Sequence, residues 1–165
     1  MKHVYNDGGR ELAGFKGKTG DCVTRAIAIA TGLPYDKVYS AMWGELEAYQ
    51  ETHRDHVAKR IARGKGRLGT TPRNGVARKV YEPYLKALGW TWTPTMQIGS
   101  GCKVHLRSDE LPGGRLIVRT SRHLVAVIDG EIHDTYDPSR EGTRCVYGYY
   151  KLEKKTATAA RSVAE

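Results

Sequence analysis

Two side chains far apart in the chain, Cys22 and His123, have the types and positions needed for covalent chemistry. Cys22 lies in "GKTGDCVTRAIAIATGLP" (17–34), at the start of a run of small apolar residues that predicts a buried helix. A thiol at a helix N-terminus has a lowered pKa, and a neighbouring imidazole completes its activation as a nucleophile. His123 begins "HLVAVI", which predicts a strand. The pair therefore predicts a thiol nucleophile with a histidine base.

The other histidines offer weaker chemistry. His3 lies in a polar lead-in, and His105 lies in a short predicted strand without an obvious partner. His53 and His56 are three residues apart on a polar helix, but no acid or cysteine supports them as metal ligands. The sequence therefore predicts neither a metal nor a cofactor.

A predicted hairpin fixes what lies beside His123. "HLVAVI-DG-EIHDTY" contains Asp129–Gly130, a strong signal for a two-residue turn. With that turn as the loop, Ile128 faces Glu131 and His123 faces Tyr136.

Two aspartates follow in the second strand of this hairpin. Alternation along the strands places Asp134 on the same face as His123, two residues out of register. Asp137 falls on the other face unless a bulge or the strand end turns it. An acid near the distal ring nitrogen would hold the imidazole in one tautomer and stabilise the imidazolium. Either aspartate is a candidate.

"GDCVTRAIAIATG", followed about a hundred residues later by "RHLVAVIDGEIHDTYDP", resembles the papain-like cysteine peptidase superfamily. The nearest likeness is to its small bacteriocin-processing-peptidase-like and effector-type members, and to phage and bacterial proteins related to them. The resemblance implies a cysteine on a central helix, a histidine that opens a strand, and an aspartate or asparagine on the next strand. In several such families the last residue precedes a proline, as Asp137 precedes Pro138. That motif favours Asp137, whereas strict alternation favours Asp134.

The activity that the resemblance implies is thiol-dependent acyl transfer, most simply by a cysteine peptidase acting on a peptide or protein. Papain-like peptidases usually carry a glutamine shortly before the cysteine, as a donor to the oxyanion. "GFKGKTGDC" contains no Gln or Asn. The backbone N–H of Cys22, with Thr19, Asn6 or a lysine, is the expected substitute. The missing glutamine also supports an alternative, a catalytically inactive papain-like binding protein such as a phage-encoded modulator of a host protein.

Helical patterns in the first half of the chain and strand patterns in the second half predict an α+β fold. We expect one domain over residues 1–150 and a flexible tail over 151–165. Residues 1–20 are rich in glycine and predict a lead-in of turns. Helical patterns then cover about 21–31, from an N-cap at Asp21 to a stop at Gly32, and 34–62 and 72–88. The second half consists of short strand patterns, namely "GCKVHL", "GRLIVRT", "HLVAVID", "EIHDTYD" and "RCVYGYYKL". The predicted architecture is an N-terminal helical half packed on a C-terminal antiparallel sheet, with the active cleft between them.

The chain of 165 residues has a net charge of +9, most of which lies in residues 54–79, where nine basic residues face one acid. Such a patch attracts an acidic substrate or a polyanion. Nucleic acid is the less favoured partner, because the patch has no interleaved aromatics and matches no nucleic-acid-binding motif. The residues expected to bind substrate are Lys59, Arg60, Arg63, Arg67 and Arg73.

Three cysteines, Cys22, Cys102 and Cys145, are too few and of the wrong parity for a disulfide framework. The segment "MKHVYNDGGR" has no apolar region typical of a secretory signal, and no apolar run is long enough to span a membrane. The sequence therefore predicts a reduced protein in the cytoplasm of a bacterium or of a phage-infected cell.

Overall fold

In a computed structural model that describes residues 1–18, 20–64 and 69–153, a mixed six-stranded sheet carries helices on one face. The predicted α+β class is confirmed. The elements, in chain order, are β1 (Lys2–Tyr5), α1 (Cys22–Thr31), α2 (Tyr35–Thr52), α3 (His56–Ala62), α4 (Arg78–Ala87), β2 (Trp90–Pro94), β3 (Arg115–Thr120), β4 (His123–Ile128), β5 (Glu131–Asp134) and β6 (Val146–Leu152).

The strand order is β1-β5-β4-β3-β6-β2. Every neighbouring pair is antiparallel except β1 and β5, which run parallel. The prediction of an antiparallel sheet built from the C-terminal half is therefore wrong at one edge. Residues 2–5 were expected to lack regular structure, because four residues show too little periodicity to indicate a strand. These residues form a strand because they pair with β5.

The cysteine-bearing helix α1 agrees with its prediction. It begins after Asp21 and ends at Gly32, whose φ of +75° is the left-handed conformation that glycine adopts without strain. Its side chains from Val23 to Ala30 are buried, since α1 packs on β4 and on α2. A helix that is apolar on most of its circumference is stable only in such a position.

The other helices are shorter than their patterns predicted. The continuous helix expected over 34–62 is divided into α2 and α3, because Asp55 begins a new helix by accepting the backbone N–H of Ala58 at 3.0 Å. The helix expected from residue 72 begins at Arg78. The preceding residues form a turn in which Asn74 accepts the backbone N–H of Thr71 at 2.6 Å.

The hairpin between β4 and β5 has the predicted turn and register. Asp129 and Gly130 both have positive φ, +47° and +79°, as a type I′ turn requires, and Ile128 pairs with Glu131. The segment "GCKVHL" is not a strand, since it contributes only an isolated bridge between His105 and Cys145.

Two apolar clusters hold the sheet, one on each face. Ile117, Leu124 and Ala126 pack with the helices. Val118, Val125 and Val127 face the other way, where Leu106 and Leu111 cover them. The first cluster fixes the start of α1 against the start of β4, which are the elements that carry Cys22 and His123.

Three further expectations are corrected or bounded. Cys102 and Cys145 form a disulfide with a Cα–Cα distance of 5.8 Å, so the expectation of fully reduced cysteines is wrong. β6 continues to Leu152, beyond the predicted domain boundary at residue 150, and residues 154–165 of the predicted tail lie outside the described residues. Among the helices described, none is both long and apolar enough to cross a membrane.

Candidate active site

Cys22 and His123 lie together where α1 and β4 begin. Both residues line one cleft, and interactions with the His123 ring and with the backbone at Leu124 lower the pKa of the Cys22 thiol. His123 is 9% exposed, and Cys22 is half-buried at the mouth of a cleft. The thiol is therefore open to a substrate, while the imidazole behind it is largely shielded from water.

Asp134, the last residue of β5, holds the other side of the imidazole. Its Oδ2 accepts a hydrogen bond from His123 Nε2 at 2.7 Å, and its Oδ1 accepts the backbone N–H of Thr135 at 2.7 Å. Because Nε2 donates to the carboxylate, Nδ1 is the ring nitrogen left for the thiol. The Tyr136 hydroxyl lies 3.4 Å from that same Nδ1.

Asp137, the acid that the family motif favoured, lies elsewhere. Its exposed carboxylate accepts the backbone N–H of Ser139 at 2.9 Å and stabilises a turn. In the described part of the chain it makes no hydrogen bond or ion pair with His123. Of the two candidate acids, the structure places Asp134 beside the imidazole.

Behind this triad runs a chain of buried ion pairs. Arg25, 2% exposed, donates through Nη2 to Asp134 Oδ1 at 3.2 Å and through Nη1 to Asp21. Asp21, 1% exposed, also accepts Arg10 Nε at 3.0 Å and the Tyr35 hydroxyl. Alternating charges therefore connect the N-terminal loop and α1 to Asp134 at the end of β5, and the Tyr35 hydroxyl ties α2 to the same chain.

The electrostatics of the triad favour a thiolate and an imidazolium. Burial acts to raise the pKa of Cys22, but the hydrogen bond and charge of His123 outweigh it, and the pKa is lowered. Burial acts to lower the pKa of His123, whereas the hydrogen bonds to Asp134 and Cys22 outweigh that effect and raise it. The pKa of Asp134 is lowered in spite of burial, because His123, then the backbone N–H of Thr135 and then Arg25 stabilise its charged form.

The start of α1 offers backbone donors beside the thiol. Asp21 makes no side-chain cap, because its carboxylate is directed to Arg10, Arg25 and Tyr35. The N–H groups of the first helical turn have no partners within the helix, and Cys22 supplies one of them. An oxygen of a bound substrate could accept a hydrogen bond there.

The two side chains predicted to assist at the oxyanion are not found there. Asn6 follows β1, where its amide contacts His133 Nδ1 at 3.2 Å and its Oδ1 accepts the backbone N–H of Gly8 at 2.9 Å. It does not line the cleft that contains Cys22. Thr19 lies outside the described residues.

The cleft in front of the thiol has a volume of about 430 Å³ and carries positive charge. Val57, Val76 and Tyr81 form part of its apolar wall. Within the described chain, no aspartate or glutamate lines it. Its arginines are Arg60, Arg78, Arg119 and Arg122.

The predicted basic patch is only partly at this cleft. Arg60 lines it, whereas Lys59 and Arg63 are exposed outside it. Arg73 donates to the carbonyl of Lys16, and its guanidinium lies 5.5 Å from the centre of the Phe15 ring. Arg67 lies outside the described residues.

Arg25, Arg119 and Arg122 were not among the predicted site residues. Arg25 had a readable signal, because an arginine within an apolar helix must meet carboxylates. Arg122 directly precedes His123 in the sequence, whereas Arg119 reaches the cleft through the pairing of β3 with β4.

Comparisons with protein-family models, with curated proteins and with solved structures find no match for the chain. The papain-like assignment therefore depends on the order and placement of the site residues alone. In the described part of the chain, no group of three or more His, Cys, Asp or Glu side chains could hold a metal ion.

Proposed function

We propose that the protein is a thiol-dependent acyl-transfer enzyme, most simply a cysteine peptidase with a papain-like arrangement. The observation that carries the proposal is the array of Cys22, His123 and Asp134: Cys22 and His123 line one cleft, and the imidazole meets the Asp134 carboxylate at 2.7 Å. The cleft in front of the thiol leaves room for a substrate.

In this reaction the Cys22 thiolate attacks the carbonyl carbon of an amide or thioester, and the C=O electron pair moves to the oxygen. The backbone N–H of Cys22 is the donor that we assign to this oxyanion. As the tetrahedral intermediate collapses, the His123 imidazolium gives its proton to the leaving group and an acyl-enzyme remains. His123 then takes a proton from water or from another acceptor, which attacks the acyl carbon. The released thiolate forms the ion pair with His123 again.

Asp134 has the role of a positioning residue. Its hydrogen bond to Nε2 directs Nδ1 to the sulfur, and its negative charge stabilises the imidazolium. Arg25 and the backbone of Thr135 in turn hold the carboxylate. A catalytic array held in this way loses little freedom during the reaction.

The order of the elements supports the papain-like arrangement. The cysteine begins a buried helix, the histidine begins a strand, and the acid ends the next strand in the sequence. The parallel strand β1 and the absence of a Gln or Asn from the described lining of the cleft are departures from that pattern. The second departure favours the alternative, an inactive binding protein on the same scaffold.

Trapping of the acyl-enzyme separates these two functions. We expect that p-nitrophenyl acetate acetylates Cys22, with a burst of p-nitrophenol and a mass increase of one acetyl group on the peptide that contains residue 22. Cys22→Ser should lose the burst, and His123→Ala should slow it by about a hundredfold or more. Asp137→Asn removes the carboxylate that does not contact His123, so it is the control for Asp134 and should keep the wild-type burst. Acetylation that is equally fast in His123→Ala would contradict the enzyme and favour the binding protein.

A further inference from the structure

The arginines of the cleft differ in whether they have a partner. Arg78 donates to Glu82 at 2.8 Å and lies over the Trp92 ring at 4.1 Å, so its charge is largely compensated. Over the described residues, Arg60, Arg119 and Arg122 form no ion pair. Arg119 has only the face of the Tyr147 ring, 5.6 Å from its guanidinium carbon.

Arg122 lies next to His123, in a turn where its side chain is exposed. Arg122 is in the two-residue turn between β3 and β4, directly before His123, and has a φ of +55°. An arginine pays a steric cost for that conformation, whereas glycine, as at Gly130 of the next turn, adopts it freely. Asp129, Arg140 and Glu141 also have positive φ, so it is the charge of Arg122 at the cleft that bears on binding.

Three uncompensated guanidinium groups thus line one cleft of about 430 Å³ together with the Cys22 thiol, and no carboxylate in its described lining opposes them. A guanidinium binds a carboxylate through two parallel hydrogen bonds, and a partly enclosed cleft strengthens that attraction relative to open water. A phosphate would satisfy the same groups. In the proposed acyl transfer, however, the thiolate attacks a carbonyl carbon, which a peptide with carboxylate side chains supplies.

We propose that the acyl donor is an acidic peptide or protein segment, with carboxylates next to the reacting carbonyl bound by Arg60, Arg119 and Arg122. This inference rests on the proposed function and names the substrate class of the same site. The unpaired arginines both attract the substrate and orient its carbonyl towards the thiol.

The test compares two affinity reagents of the same shape, acetyl-Glu-Glu-Gly chloromethyl ketone and its Gln-Gln counterpart. Each alkylates a thiolate as the new S–C bond displaces chloride. At low salt we expect the acidic reagent to modify Cys22 about tenfold faster than the neutral one, and we expect high salt to reduce the difference. The ratio of the two rates cancels any change in the reactivity of the thiol itself.

Variants assign the preference to the cleft. Arg119→Gln and Arg122→Gly should each lower the ratio by about threefold or more, and Arg122→Gly should do so without a loss of thermal stability, because glycine suits the backbone there. Arg63→Gln removes the same charge one residue beyond α3, outside the cleft, and should retain the wild-type ratio.

The outcomes distinguish this inference from the proposed function, because iodoacetamide reports on the thiol without charge. Strong, His123-dependent reaction with iodoacetamide but equal rates for the two peptides would overturn the acidic substrate and leave the enzyme. Ordinary reactivity that ignores His123 would contradict both. If the peptide rates are equal and a single-stranded oligodeoxynucleotide protects Cys22 from iodoacetamide, the arginines bind nucleic acid, and the inference is wrong.

Discussion

The arginines behind the triad and those in front of it are used in opposite ways. Arg10 and Arg25 are buried, and each contacts a carboxylate that is itself buried. Arg119 and Arg122 open onto the cleft, and within the described structure neither has an acidic partner. Arginine therefore stabilises the structure through buried ion pairs on one side of His123, and it supplies unpaired positive charge on the other side.

The physical reason for the difference is desolvation. An arginine buried without a carboxylate costs several kcal/mol, so the interior keeps only those that are paired. At the cleft, water solvates an unpaired guanidinium at little cost until a substrate replaces that water. The paired set should determine stability and the geometry of Asp134, and the unpaired set should determine binding.

The largest expected effect is on stability, from Arg25→Met. The substitution leaves Asp21 and Asp134 with less compensation in the interior, and we expect the free energy of unfolding to fall by about 3–5 kcal/mol. Urea denaturation measures it. Arg54→Met is the control, since Arg54 is exposed at the end of α2 and contacts only backbone carbonyls there. If the free energy of unfolding falls no further in Arg25→Met than in Arg54→Met, the buried arginines do not determine stability as the contrast requires.

The next effect concerns the reactivity of the thiol. Asp134→Asn removes the charge that raises the pKa of His123, so the imidazolium and the thiolate form less readily. At about pH 6 we expect alkylation of Cys22 by iodoacetamide to slow by about tenfold or more. Asp137→Asn makes the same change three residues away and should leave the rate within about twofold. Equal effects of the two variants would show that Asp134 does not act through His123.

A smaller effect is expected on acid stability. Because the pKa of Asp134 is lowered in the folded protein, its contribution to stability is complete above its unfolded pKa of about 3.9 and is lost as the pH falls through the folded value. Asp134→Asn should therefore show a shallower decrease in the free energy of unfolding below about pH 4. A decrease as steep as that of the wild type would mean that other carboxylates account for it.

The smallest effect is expected from the front of the site. Arg122→Gly removes an exposed charge and relieves a positive φ, so the free energy of unfolding should stay within about 0.5 kcal/mol of wild type or rise. Thermal or urea unfolding measures it. A loss comparable to that of Arg25→Met would make Arg122 a structural residue and remove the contrast between the two sets.

The features that the sequence predicted correctly are local. Helix α1 has Asp21 before it and Gly32 after it, and the turn at 129–130 sets the register of its hairpin. Period-two alternation from that turn favoured Asp134, whose carboxylate lies 2.7 Å from the imidazole. The family motif at Asp137 pointed to a residue that instead stabilises its own turn.

The features that the sequence did not predict depend on distant contacts. β1 and β2 are strands at the two edges of the sheet, formed by pairing with β5 and β6. The Cys102–Cys145 disulfide joins residues that only the bridge between His105 and Cys145 brings close. No periodicity or spacing within a short segment encodes such pairings.

The most direct test of the central claim is the pH dependence of Cys22 alkylation by iodoacetamide, in wild type and in His123→Ala. Cys22 is the cysteine outside the disulfide, so under non-reducing conditions the site of reaction is unambiguous, and Cys22→Ser supplies the blank. We predict a wild-type rate that rises with a midpoint well below about 8.5, and a midpoint in His123→Ala that returns towards that ordinary thiol value. Identical profiles with an ordinary midpoint would contradict an activated cysteine–histidine pair.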